Sequence, residues 1–138
     1  MSDDALNPHD ALIYLMVIVS AVDRDMGDAE LRRIGNVTRQ WPVFEGFDEE
    51  DLLPAAQACA KLLAKPDGLD RVMTIIVASL PSRLAPTAFA MACEVALADG
   101  HVEREETTLL NMVRRVLQID HLTAAAIEKG VAARNQKL

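Results

Sequence analysis

Ser20-Ala21-Val22-Asp23-Arg24-Asp25-Met26-Gly27-Asp28-Ala29-Glu30 returns 76 positions later, Asp23 to Asp99, as Ala96-Leu97-Ala98-Asp99-Gly100-His101-Val102-Glu103-Arg104-Glu105-Glu106. Asp23 aligns with Asp99, Met26 with Val102 and Glu30 with Glu106. Downstream, Ile34 aligns with Leu110, Val37 with Val113 and Trp41 with Leu117. Self-similarity at a fixed offset is the mark of a repeated structural unit. Each copy reads as an apolar helix ending at an Asp, a tight turn, an apolar plug (Met26 or Val102) and an amphipathic helix with a Glu in its first turn. A carboxylate there meets the free N–H groups and positive dipole end of the helix. Gly100 suits the left-handed residue that closes a helix. Arg24 holds that place in the first copy, so that turn must close differently. Two such corners predict a pseudo-symmetric pair, with the two apolar helices side by side at the centre.

Working outward, hydrophobic periodicity predicts seven helices and an all-α compact bundle in one domain over 1–138. The first, over 8–22, is apolar all round and should be buried on most sides. The second, over 28–41, carries Leu31, Ile34, Thr38 and Trp41 on one face, and Pro42 stops it. A connector with Gly46 leads to a third helix bearing Leu52, Ala56, Cys59, Ala60 and Leu63, with Asp51 as N-cap and Pro54 in the first turn. Pro66-Asp67-Gly68 reads as a turn. The fourth helix carries Val72, Ile75, Ile76, Ser79 and Leu80, and ends at Pro81. It reads as helix despite its Val and Ile because no second strand exists to pair with it. The fifth covers 86–98, the sixth 103–117 and the seventh 120–133, with Asn135 to Leu138 fraying.

Composition narrows the function classes. The 138 residues are 51% hydrophobic and only 4% aromatic, so the core must be aliphatic. A net charge of −7 opposes nucleic acid and anionic membranes, and suits cations or basic protein surfaces. It also serves plain solubility. Cys59 and Cys93 lie in apolar helical patterns, as buried reduced thiols of a cytoplasmic protein do. The N-terminus lacks the basic region of a signal peptide. The apolar run over 11–22 is too short to cross a bilayer, so no direct membrane insertion is expected.

The stretch from Ala98 to Glu106, followed by Leu109 or Leu110, resembles the A-D-G-x-[VI]-x-x-x-E-x-x-x-L signature of the TerB-like family. That family includes bacterial tellurite-resistance TerB proteins and the N-terminal domain of DjlA-type membrane co-chaperones. The resemblance spans nearly the whole chain. The second copy matches well, whereas the first keeps Asp23, Met26 and Glu30 and lacks the glycine. Neither a J-domain signature nor a membrane span is present, so a stand-alone TerB-type protein is the nearer likeness. The resemblance implies a compact bundle of about seven helices with a duplicated corner, and acidic residues that bind metal ions.

The implied metal ligands fall on Asp23, Glu30, Asp99 and Glu106, with Asp25, Asp28 and Glu103 nearby. Four carboxylates suit a divalent cation, Ca²⁺ or Mg²⁺ by hardness, with Zn²⁺ also considered. The same residues are what capped corners need in order to fold. An EF-hand is excluded, because the twelfth loop position is Ile34 where a bidentate Glu is required. His101 reads as a surface residue beside Asp99, and His9 and His121 as residues near helix starts. Glu94, inside an apolar helix, needs an exposed stripe or a partner such as Arg83 or Arg114. Ser20, Ser79 and Ser82 lack a spaced His and Asp, and no phosphate-binding glycine loop occurs. The expectation is a non-enzymatic module of bacterial tellurite, metal or general stress resistance. It would bind divalent cations or partner proteins through an acidic corner surface. The alternatives are a pure interaction scaffold without metal, or a metal-assisted hydrolase using the same carboxylates.

Overall fold

Nine consecutive side chains, Ala11 to Val19, are buried in the helix that the sequence makes most apolar. The structure is a computed structural model. It describes residues 6–20, 27–97 and 104–138, with only the backbone for 104–106. The described residues form seven α-helices: α1 Pro8–Ser20, α2 Asp28–Gln40, α3 Leu52–Leu63, α4 Gly68–Ser79, α5 Ala85–Leu97, α6 Arg104–Val116 and α7 His121–Arg134. Three short 3₁₀ turns join them, and the described residues contain no strand. The all-α expectation holds, with helix boundaries within about two residues of the periodicity reading.

The core follows from the apolar helices. α1 is sheathed by α3, α4 and α5, with α2 and α6 completing the ring. α5 lies against α1 on one side and α7 on another. Leu12, Ile13, Leu15 and Met16 of α1 and Phe89, Met91 and Cys93 of α5 are fully buried. Each large apolar side chain so placed contributes about 1.5–3 kcal/mol. The predicted central pairing of the two apolar helices is therefore present. α2 touches α5 and α6 touches α1, as a two-fold arrangement requires.

Two helix ends and one side chain inside a helix differ from expectation. Asp51 occupies the N-cap position of α3, but its carboxylate makes no capping bond. Asp48 caps instead: its Oδ1 accepts the Glu50 N–H at 2.9 Å, one 3₁₀ turn earlier. The chain winds tightly before it widens into α3, which moves the cap upstream. Asn135 does not fray. Its Nδ2 donates to the Val131 carbonyl at 2.9 Å and to Glu94 Oε2 at 3.3 Å. Glu94 finds its cation on α7, where Arg134 Nη1 lies 2.5 Å from Oε1, and not in Arg83 or Arg114. Arg114 donates to the Ile119 carbonyl.

Two turns rest on backbone geometry. A Cβ at Gly68 would sit 2.3 Å from the Leu62 carbonyl oxygen, so only glycine lets α4 start this close to the end of α3. At the end of α6, Gln118 takes φ 59°. Its N–H donates to Arg115 O and that of Ile119 to Arg114 O, which together make a Schellman closure around a non-glycine residue.

Candidate functional site

The corner carboxylates divide by what is described. Asp23, Asp99 and His101 lie outside the described residues, as do Asp25 and Glu103. Glu106 is on the α6 backbone, with its side chain outside them. Glu30 is in the first turn of α2, where its Oε2 accepts the Gly27 N–H at 3.1 Å. Gly27 has no side chain to return the bond, so this is the carboxylate half of a capping box. Glu30 thus performs the helix-start role that the sequence allowed for it.

One feature beside the first corner is not explained by folding. Ser20 Oγ, on the last residue of α1, is buried and has no hydrogen-bond partner among the described residues. A buried hydroxyl without a partner normally costs about 1–3 kcal/mol. It adds an oxygen donor at the head of the corner sequence. Among the described residues, no group of three or more His, Cys, Asp or Glu side chains is arranged to hold a metal ion.

Cys59, Cys93 and Ser79 are sealed or occupied, whereas Ser82 is exposed. Cys59 and Cys93 are fully buried. Burial pushes both thiols up to about 12, aided at Cys93 by the charges of Glu128 and Glu94. Ser79 Oγ donates to the Ile75 carbonyl and accepts the Leu6 N–H. It ties the chain entering α1 to the end of α4.

At the other end of α1 lies a cleft of about 510 Å³. His9 builds one wall. Its ring stacks on Phe44 at 5.3 Å and meets the edge of Phe47 at 5.4 Å. Its Nε2 lies 2.9 Å from the Val43 carbonyl. A carbonyl only accepts, so Nε2 carries the proton. This clasp holds the Pro42–Phe47 connector against α1. Asp10 and Tyr14, one helical turn apart, form the α1 side, and Asp48 and Asp51 face them from the 3₁₀ turn before α3. Burial raises the Asp10 carboxyl above its ordinary value, and the charge of Asp51 raises it further. Burial likewise raises the Tyr14 phenol, with the charges of Cys59 and Asp10 adding to it. The sequence reading passed over this cleft. Asp10 and Tyr14 at i and i+4 were legible as one face, but the connector that completes it arrives from more than thirty residues away.

A third surface runs between α4 and α6. It is a groove of about 730 Å³, floored by Met73, Val77, Met112 and Val116, with Gln118 at one end. Among the described residues, no single helix is long and apolar enough to cross a membrane.

A family model described as Tellurite resistance protein TerB matches residues 9–129. Searches of curated proteins and of solved structures return no match.

Proposed function

The chain belongs to the TerB family, matched from the start of α1 into α7, and on that premise we propose a non-enzymatic cytoplasmic module of bacterial tellurite, metal or general stress resistance that binds divalent cations through its acidic corners. The observation that carries this reading is the duplicated Asp-to-Glu pattern, Asp23 with Glu30 and Asp99 with Glu106. Two features support it. The corner sequences follow directly on α1 and α5, which pack against each other. The Ser20 hydroxyl, without a partner among the described residues, adds a hard donor beside the first corner. The donor set is all oxygen, which favours Ca²⁺ or Mg²⁺ over Zn²⁺. When bound, the ion would supply positive charge that screens the repulsion among these carboxylates. Glu30 would join as a ligand only by sharing or giving up its bond to Gly27.

Thermal melts with Ca²⁺, Mg²⁺, Mn²⁺ and Zn²⁺ test the reading. A cation at a hundred times its Kd should raise the midpoint by roughly 8–12 °C for a chain of this size. The Asp23→Ala/Asp99→Ala double variant should lose the rise. An absent shift at millimolar cation, or one that survives in the double variant, refutes cation binding at the corners. A second reading, an interaction scaffold without metal, is favoured by the apolar groove between α4 and α6, where Val77 is 44% exposed.

A further inference from the structure

We propose that the groove between α4 and α6 is the interface of a two-fold dimer of this chain, in which Leu122 of each copy enters the groove of the other and Arg115 of each meets Asp70 of the other. The dimer supplies an occupant for the groove on which the scaffold reading rests, and it is independent of cation binding at the corners.

The groove is longer than its main cavity. A hollow of about 190 Å³ continues it past Leu80 and Leu117, and Val77, Val116 and Gln118 line both. Along α4 the lining recurs at Asp70, Met73, Thr74, Val77 and Ala78, the spacing of one helix face. Val77 is 44% exposed in the middle of that face. Four residues beyond Gln118, Leu122 stands 80% exposed in the first turn of α7. Four residues span at most about 14 Å, so the apolar groove and the apolar knob are neighbours. A lone exposed leucine needs no explanation, but one beside an open apolar groove does.

Charge chooses the occupant. Among the described residues, Asp70 and Arg115 are the only charged ones that line the groove and its continuation. Neither forms an ion pair with a described residue. The groove is therefore neutral on a chain whose net charge is −7. A strongly basic partner would be held by the acidic surface elsewhere. Two copies of an acidic chain approach with least repulsion through a face whose own charges balance, and this face does. One acid and one base also complement themselves under a two-fold rotation. In such an interface residue i meets j wherever j meets i, so a single knob, groove, acid and base suffice. The apolar groove supplies the contact area, and the two crossed ion pairs fix the register.

Sedimentation velocity of the full chain in EDTA, from about 1 µM to about 1 mM protein, tests the interface across the range of moderate and weak affinities. The sedimenting species should pass from one chain to two as concentration rises. Leu122→Asp should raise the dissociation constant by about tenfold or more, as loss of an apolar anchor does. Asp70→Arg and Arg115→Asp should each weaken self-association, because each sets like charges opposite one another across the axis. Mixed in equal amounts, these two variants should form a heterodimer, since every crossed pair then regains opposite signs. All three positions are exposed, so the substitutions leave the core intact. The Asp23→Ala/Asp99→Ala variant should dimerise like the parent, which separates this interface from the corners. A parent that stays monomeric throughout overturns the proposal and leaves the groove to a foreign segment. It is also overturned if Leu122→Asp dimerises like the parent, or if the two charge variants associate no better together than alone. A dimer that needs added divalent cation, or that is lost in the double corner variant, overturns it as well.

Discussion

α1 and α5 are the two apolar helices that precede the repeated corner sequences, yet the structure treats them differently. Ile18 of α1 is 2% exposed and fully enclosed by apolar neighbours. Its counterpart at the offset of 76 is Glu94, which reaches out of the core to Arg134 and Asn135. The contact is made by α7, which lies along α5 as α3 lies along α1. Where α1 is sealed by α3 and α4, α5 is closed by a later helix whose C-terminal residues clasp a carboxylate. The reverse holds at the helix starts. Asp10 and Tyr14, which shape the α1 cleft, correspond to Pro86 and Ala90 in α5. Both halves have an apolar central helix, and each half differs from the other at a different end of it. The repeated corner sequence and the unrepeated cleft are therefore different kinds of feature, one found in both halves and one confined to the first.

The strongest way to break this comparison is to truncate matched pillar residues. Ile13 and Phe89 correspond at the same offset, and both are fully buried. Ile13→Ala should cost about 2–5 kcal/mol and Phe89→Ala about 3–5 kcal/mol in urea unfolding. If either change were tolerated within about 1 kcal/mol, the two helices would not be equivalent supports and the symmetry would be one of sequence alone.

A smaller effect sharpens the difference at Glu94. Arg134 is more than half exposed, so solvent screens the pair. Arg134→Ala should cost about 1 kcal/mol or less. Glu94→Ile, which installs the first copy's residue, should stay within about 1 kcal/mol of the parent, since an apolar replacement removes both the charge and its need for a partner. A Glu94→Ile chain that lost several times that amount would mean the carboxylate holds α7 in a way the first copy never needed.

The smallest effect concerns how the matched helices stop. α2 ends before Pro42, and Trp41 is extended with ψ 131°, as a residue before proline prefers. The position matching Pro42 in the second copy is Gln118, in the left-handed region. Gln118→Gly should stabilise the chain by about 0.5–1 kcal/mol, read as a raised melting midpoint. An unchanged or lowered midpoint would show that the glutamine side chain offsets its backbone cost through contacts at the α4–α6 groove.

The sequence made the seven helices legible because burial leaves a 3.6-residue pattern, strongest where α1 and α5 are apolar on every face. The central pairing could be inferred from the repeat. Three things were not legible, each for a physical reason. Asp48 displaced Asp51 as cap because a 3₁₀ turn has a different hydrogen-bond spacing, and composition does not reveal it. The partners of Glu94 lie about forty residues away, beyond any local pattern. The His9 clasp depends on a connector folding back, so a residue that looked incidental at a helix start proved to shape a cavity. Of the candidate corner residues, Asp23, Asp99 and the Glu106 side chain lie outside the described residues, and Glu30 is seen engaged with its own helix.

The sheath around α1 also has a consequence in time. The segments that cover it, α3, α4 and α5, all follow it along the chain, and α5 is complete only at Leu97. At translation rates of about 5–20 residues per second, α1 leaves the ribosome roughly 4–15 s before its last major covering helix exists. During that interval the most apolar helix of the chain lacks the α5 side of its native cover. The arrangement that makes α1 the best protected segment of the finished protein leaves it incompletely covered in the nascent one.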